Sequence, residues 1–499
     1  MNRNTLLLAL CLASIVAAPG CETTGATVAD AGNPNDDASE PIEDADLPDT
    51  NADTGPVLQT QLTYTPTGCG YAVSTPTVTE TGMGMDVFGD TPEPDHIHTS
   101  WAGPTDTTFA INWHTGLGTL ASSVLFGTDM AAVAAADDAG SGVTRQEGHF
   151  MRFRASSSPG GFEIVHEAHV CGLSADTEYF YKVGGPGHWS QVYSFSTAPV
   201  VGSTAPYTFG VTGDSRGYED NAWAITQHHF SDRAVDFQLF SGDAVVAGPN
   251  QGEWNQFFTQ VDGAFDTQDF LATRPMMMAN GNHDLLSVNY LVQFALPQDV
   301  SDGEIGQGED WYSFDYANAH FIVLNDTVTR SSVIGGQEAA WLSADLAAVD
   351  RAQTPWVFVT HHQPMYTCTA GRPPDTNLRA AWQSVFDQYH VDMVFNGHNH
   401  EYERSAPIFG FDSGGGHVAS EGANAVPVIA AGGIPSGTIY MVAAGAGAPL
   451  YSVNTDCPET RHALSVRAYL ILEIQDRSLQ LTAYDALTNS VIDQMTYTK

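Results

Sequence analysis

The chain has 499 residues, enough for two or three domains with cores of their own. With 42% hydrophobic and 15% charged residues it has a globular composition, which excludes a chain disordered throughout. Its 58 acidic against 17 basic residues give a formal net charge of -41, a surface that repels phosphate backbones and argues against nucleic acid as a stable partner.

At the N-terminus, Arg3 precedes an apolar run from Leu6 to Val16 and then small residues up to Gly20-Cys21. This is the pattern of a secretory signal over residues 1–20, too short to span a bilayer. Ala18-Pro19-Gly20-Cys21 is similar to a bacterial lipoprotein cleavage box, so lipid on Cys21 and ordinary cleavage nearby are the two readings. Either predicts an exported protein, a cell-envelope lipoprotein or a secreted one, with Cys21 the sole membrane attachment. Residues 21–58 contain no Lys or Arg and few large apolar side chains. They cannot bury enough surface to offset chain entropy, which predicts an acidic, disordered linker.

Residues 59–198 carry short period-two runs such as Thr108-Phe109-Ala110-Ile111-Asn112-Trp113, Ser123-Val124-Leu125-Phe126, Glu178-Tyr179-Phe180-Tyr181-Lys182-Val183 and Ser190-Gln191-Val192-Tyr193-Ser194-Phe195. They predict an antiparallel β-sandwich, followed by a linker from Pro199 to Pro206. From residue 205 to 499 apolar strand-like runs alternate with helical patterns, an α/β layered domain. The buried runs are Phe237–Phe240, Pro275–Met278, Phe321–Leu324, Trp356–Val359 and Val391–Phe395. Trp254, Phe257, Phe258 and Val261 mark one helix face; Ala339, Leu342 and Leu346 a second; Leu378, Trp382 and Phe386 a third. Tyr469–Ile474 and Leu479–Tyr484 read as closing strands. Outside the signal and Cys21 remain Cys69, Cys171, Cys368 and Cys457, an even number in an exported chain. Of three pairings, Cys69–Cys171 and Cys368–Cys457, each within one domain, are favoured.

Five polar motifs follow predicted strands: Gly213-Asp214-Ser215-Arg216, Gly242-Asp243-Ala244, Gly281-Asn282-His283-Asp284, His361-His362-Gln363-Pro364 and Gly397-His398-Asn399-His400. Sites in open α/β sheets lie beyond the carboxyl ends of strands, and Asp, Asn and His are ligands for divalent metals. Five such motifs in one structural context point to a metal site.

The order of these motifs, with Val359-x-x-His362 supplying the fourth, resembles the calcineurin-like metallophosphoesterase superfamily. Gly397-His398-Asn399-His400-Glu401-Tyr402-Glu403-Arg404 is similar to the GHxHxYER of its purple acid phosphatase branch. The stretch from Pro94-Asp95-His96-Ile97-His98 to Tyr193-Ser194-Phe195 resembles that branch's fibronectin-III-like N-terminal domain. The resemblance implies an α/β fold, a four-layer β-sandwich flanked by helices, behind an all-β sandwich domain. It implies two divalent or trivalent metal ions, from iron, zinc, manganese or magnesium. Asp214 and His400 would hold the first ion, Asp243 would bridge, and Asn282, His362 and His398 would hold the second. His283 would contact phosphate and protonate the leaving oxygen, with Asp284 orienting it.

Two positions depart from the pattern. The branch has Tyr three residues after the bridging Asp, where this chain has Val246, and relatives lacking that Tyr often have His where this chain has Arg216. Tyr218, Asp220 and His361 are the alternatives for filling the gap. Arg216 reads either as a phosphate-binding guanidinium or as a salt-bridge partner of Glu219 or Asp220. His361 reads as support or as a catalytic group, and Arg404 as a brace; His228 and His229 read as surface residues, and His96 and His98 receive no function. The implied activity is hydrolysis of small phosphate monoesters by metal-bound hydroxide, as in acid phosphatases. A phosphodiesterase or nucleotide hydrolase, and a surface binding protein with a degenerate metal site, are the rival readings.

Overall fold

The alternating runs of the first half pair as antiparallel strands in the computed structural model, which describes residues 60–155, 157–298, 309–327 and 332–499. The signal and linker expectations for residues 1–58 lie outside the described residues. One sheet orders Glu80–Met83, His149–Arg154, Phe162–Cys171, Thr108–His114 and Asp95–Ser100. The other joins His188–Trp189, Glu178–Gly185, Ser123–Gly127 and Thr144–Glu147, with Tyr193–Ser196 also pairing Glu178–Gly185. Alternate side chains, Phe109, Ile111 and Trp113 from one sheet and Tyr179, Tyr181 and Val183 from the other, fill the core. The final strand begins at Tyr193, not at Ser190, because the Ser190 hydroxyl accepts the Val183 N–H and closes a turn. Disulfides join Cys69 to Cys171 and Cys368 to Cys457.

The second half builds two sheets face to face. The first orders Met276–Met278, Phe237–Phe240, Tyr207–Thr212, Ala468–Gln475, Ser478–Asp485 and Val491–Thr498. The second orders Tyr312–Tyr316, Ala319–Val323, Trp356–Thr360, Met393–Asn396, Ile439–Ala443, Tyr402–Ser405 and Thr460–Leu464. Central strands such as Phe237–Phe240, Ala319–Val323 and Trp356–Thr360 are buried at every position and lack alternation, whereas the edge strands Tyr312–Tyr316 and Val491–Thr498 alternate. Phe209 lies between the sheets with ring centroids 5.3, 5.4 and 6.3 Å from Phe321, Phe358 and Phe395. Helix Ala222–Asp232 covers the outer face of the first sheet, packing Phe230 on Tyr469 and Ile471. Helices Ala339–Ala348 and Thr376–Tyr389 cover the second, burying Leu342, Leu346, Leu378, Trp382 and Phe386 against Ile322, Val357 and Val394. The architecture is the expected four-layer α/β sandwich. Val261 departs from its expected helix face: the helix ends at Phe258 and Val261 is exposed in a short hairpin strand. His228 and His229 lie within helix Ala222–Asp232, His228 partly exposed and His229 half-buried against Tyr469.

The two sandwiches are hydrogen-bonded to each other. Ser100 Oγ and Thr105 Oγ1 donate to the carbonyls of Ala295 and Asp315 at 2.7 and 2.6 Å, and buried His98 contacts the Gln293 carbonyl. Burial holds His98 down at about 4, so it braces this contact as a neutral imidazole. Among the described residues no helix is long and apolar enough to cross a membrane.

Candidate metal centre

Parallel pairing puts the carboxyl ends of adjacent strands side by side. Tyr207–Thr212, Phe237–Phe240 and Met276–Met278 run parallel and lead into Asp214, Asp243 and Asn282. Trp356–Thr360 and Met393–Asn396 run parallel in the facing sheet and lead into His362, His398 and His400. The loops interlock: the Asp214 carboxylate accepts the His398 N–H at 3.1 and 3.0 Å, and Asp243 Oδ1 accepts the His283 N–H at 2.9 Å. Asp214, Asp243 and His398 all have positive φ, at 58°, 59° and 64°, a conformation that disfavours side-chain-bearing residues. Such strain persists where the surrounding bonds over-determine it, typically at functional sites. Glycine is required beside these carboxylates, since a Cβ on Gly281 would overlap Asp243 Oδ1 and one on Gly397 would overlap Asp214 Oδ2.

One group of donors fits a divalent ion. Ligand atoms of Asp243, His362 and His398 lie within 4.8 Å of one another. Asn282 Oδ1 is 3.1 Å from His362 Nε2 and 2.9 Å from His398 Nδ1. His362 Nδ1 gives its hydrogen to the Ser241 carbonyl at 2.8 Å, so Nε2 turns toward Asp243 Oδ1 at 3.3 Å and the Asn282 oxygen. A proton or a metal ion is needed between that nitrogen and those oxygens. Burial acts to lower His362, but the Asp243 charge outweighs it and pushes the imidazole up to about 10. Burial likewise acts against the Asp243 charge, yet His362, then His283 and Arg216, hold its carboxyl well below the usual range. One carboxylate, one amide oxygen and two imidazoles suit a zinc, iron or manganese ion.

The adjoining position differs. His400 Nδ1 donates to the Pro449 carbonyl at 2.6 Å, which leaves Nε2 as an acceptor. That atom lies 3.3 Å from Asp214 Oδ1 and 3.4 Å from Arg216 Nη2. Arg216 Nε in turn lies 3.3 Å from Asp243 Oδ2. The guanidinium therefore spans the acceptors of Asp243 and His400, and these donors do not fit a second ion while it is there. The expected salt bridge of Arg216 to Glu219 or Asp220 is not formed: both carboxylates pair with Arg467, at 2.9 and 3.0 Å.

None of the three residues considered for the gap points into it. The Tyr218 hydroxyl donates to the Glu253 carbonyl, and Asp220 is held by Arg467. His361 is fully buried between Asp326 Oδ2 at 2.8 Å and Asn396 Nδ2 at 3.1 Å, a support for the loop that presents His362. Asp284 does not orient His283. Its carboxylate accepts the backbone N–H groups of Asp243, Ala244 and Gly281 at 2.8, 3.0 and 2.9 Å. Burial and then Asp243 push Asp284 up to about 7. His283 Nδ1 instead donates to the Val246 carbonyl at 2.7 Å, and its Nε2 lies 3.9 Å from Asp243 Oδ2. Arg404 is buried on Asp493, binding the loop-following strand to the last strand of the other sheet.

Sequence reasoning missed Arg372 and Tyr451. Arg372 Nη1 is 3.3 Å from His398 Nε2, and its guanidinium lies 4.0 Å over the Tyr451 ring, which stacks on His400 at 4.2 Å. Neither lies in a motif; the one signal was that a guanidinium is rare in this acidic chain.

Residues 94–197 match the family described as Purple acid Phosphatase, N-terminal domain, and residues 207–402 match Calcineurin-like phosphoesterase. The chain belongs to the calcineurin-like metallophosphoesterases. Within them it lies on the purple acid phosphatase branch. It is 32% identical over 256 residues to Purple acid phosphatase 21 of Arabidopsis thaliana, covering 49% of this chain and 54% of that protein. It is 30% identical over 259 residues to Fe(3+)-Zn(2+) purple acid phosphatase 12 of the same plant, covering 49% and 53%. The purple acid phosphatase PPD1 from yellow lupin (Lupinus luteus) seeds superposes with a TM-score of 0.66 at 20% identity, over 82% of this chain and 74% of that one. The chain spans about half the length of the curated relatives it matches.

Proposed function

We propose that this chain hydrolyses small phosphate monoesters with a metal ion held by Asp243, Asn282, His362 and His398. The observation that carries the reading is the convergence of those donors with His283, Arg216 and Arg372 at one edge of the sandwich. Family membership supports it. A bound divalent ion supplies a Lewis acid that activates water and offsets charge on the phosphoryl oxygens.

The remaining work falls to the chain's own groups. His283 keeps its Nδ1 hydrogen on the Val246 carbonyl, which leaves Nε2 to carry a proton to the departing ester oxygen. Arg372 and Arg216 supply fixed positive charge for the non-bridging oxygens, the main electrostatic need of phosphoryl transfer. Asp284 shapes the loops that carry Asp243 and Asn282. Residues 205–499 form the catalytic domain, and residues 59–198 a platform docked on it. Export is supported by the apolar run from Leu6 to Val16 and by two disulfides, which persist in oxidising compartments. On this reading Cys21 is the site of a lipid anchor.

The test is turnover of p-nitrophenyl phosphate and of bis(p-nitrophenyl) phosphate, before and after chelation and with zinc or manganese restored. The monoester should be preferred, with activity lost on chelation and regained with metal. Preference for the diester would favour the phosphodiesterase reading, and metal binding without turnover of any phosphate ester would favour a binding protein.

A further inference from the structure

We infer that Arg216 takes the place of the first metal ion, so that this chain works with one bound ion where its relatives use two. The inference rests on the phosphoesterase reading above and specifies its centre.

Ions of the zinc class sit about 2.0–2.2 Å from carboxylate oxygen and imidazole nitrogen. Asp243 Oδ2 and His400 Nε2, two atoms a first ion would join, are instead both faced by the guanidinium, whose Nε and Nη2 lie 3.3 and 3.4 Å from them, so an ion there would have to displace a positive charge. The tautomer of His400 agrees. Its Nδ1 hydrogen is committed to the Pro449 carbonyl, so Nε2 offers a lone pair, and it is met by Arg216 Nη2 at 3.4 Å, with Asp214 Oδ1 also 3.3 Å away. His362 has the same tautomer, but its Nε2 faces the oxygens of Asp243 and Asn282, two acceptors, where only a proton or a metal ion completes the contact.

Charge and backbone agree too. The Arg216 side chain is 12% exposed beside Asp243, which is 1% exposed, so the pair is shielded from bulk water. Asp214 and Asp243 bring two negative charges to the centre, and one guanidinium with one divalent ion supplies three positive ones, enough to offset them without a second ion. The competing carboxylates Glu219 and Asp220 are removed by Arg467, which leaves Arg216 directed inward. The same arrangement accounts for Val246. A phenolate three residues after Asp243 serves an ion at the first position; with Arg216 there, no such ligand is needed, and the Val246 side chain is exposed while its carbonyl holds His283. Two departures from the family pattern thus become one substitution, a guanidinium for a metal ion and its Tyr ligand.

The test is metal stoichiometry on the full chain, stripped by chelation and titrated with Mn2+, read by equilibrium dialysis with elemental analysis and by electron paramagnetic resonance. Wild type should bind one Mn2+ per chain with the six-line spectrum of an isolated ion. Arg216→His should bind two and show the broadened spectrum of a coupled pair, as expected for ions about 3.5–4 Å apart. Two tightly bound ions in wild type, or a coupled pair there, would overturn the inference while leaving the proposed activity standing. One ion in wild type without phosphate-ester turnover would sustain the inference and overturn the activity. If Arg216→His does not fold, the wild-type stoichiometry decides alone.

Discussion

Asp284→Asn separates a brace from a catalyst. In the structure both carboxylate oxygens are in use: Oδ2 accepts from Asp243 N and Gly281 N, and Oδ1 accepts from Ala244 N. Asparagine has one acceptor oxygen. It can keep the pair of N–H groups on Oδ2, but its NH2 group then faces the Ala244 N–H, donor against donor. A buried N–H left without an acceptor costs about 1–3 kcal/mol, so Asp284→Asn should lose that much. Asp284→Ala strands all three N–H groups and, at the same rate, should lose about 3–6 kcal/mol after partial relaxation. Domains carry only about 5–15 kcal/mol in total, so the alanine variant should be marginal and the asparagine variant folded. Urea unfolding followed by tryptophan fluorescence measures both, as a shift in midpoint at constant slope. The pH dependence of kcat/KM for the folded Asp284→Asn protein should keep the wild-type shape. An asparagine variant of full stability that loses one limb of the pH profile would show Asp284 to be a titrating catalytic group and would refute the bracing role.

Three further outcomes are expected. His283→Ala should lower kcat by roughly 10²–10⁴-fold for alkyl phosphates and less for p-nitrophenyl phosphate, whose leaving group needs no proton; equal losses for both would rule out proton transfer from Nε2. Arg372→Met should lower kcat/KM by roughly 10–100-fold, the worth of a charge-assisted hydrogen bond to phosphate, with the metal content unchanged; an unchanged kcat/KM would remove Arg372 from substrate binding. His320 lies between Asp315 and Asp345, both at 2.8 Å; burial acts to lower it, but the two carboxylates push it up to about 9. A folded-state value above the unfolded one stabilises fully below about pH 6.5 and is lost as pH rises through about 9, an effect of roughly 3 kcal/mol at most. Tm should therefore fall over that window, and His320→Gln should flatten the fall; an unchanged slope in the variant would locate the titration elsewhere.

Much of the fold was legible because burial writes itself into composition. Runs such as Trp356–Val359 are apolar at every position since both faces are covered, and Leu378, Trp382 and Phe386 keep helical spacing because one face is. The loops carrying Asp214, Asp243, Asn282, His398 and His400 were legible because each follows a strand-like run and pairs glycine with a ligand-type side chain; His362 follows such a run beside His361 and ahead of Pro364. What eluded sequence reasoning depends on long-range placement. Arg372 reaches His398 from a loop with no motif, and the partners of Arg216 follow from Arg467 capturing Glu219 and Asp220 from 248 and 247 residues away. Asp284 looked like the orienting carboxylate because it adjoins His283 in sequence, but its side chain turns to the backbone amides behind the site. Strands such as Tyr402–Ser405 and Ile439–Ala443 are set by neighbours distant in the chain, so their local patterns carried little weight.

The account depends most on an ion bound among Asp243, Asn282, His362 and His398. Anomalous diffraction from crystals of the zinc-loaded protein, recorded on both sides of the zinc edge, tests this directly. The account predicts a peak about 2.0–2.2 Å from Asp243 Oδ1, Asn282 Oδ1, His362 Nε2 and His398 Nδ1. A fully loaded, active protein with its zinc peak elsewhere, or with these four side chains out of reach of it, would contradict the account.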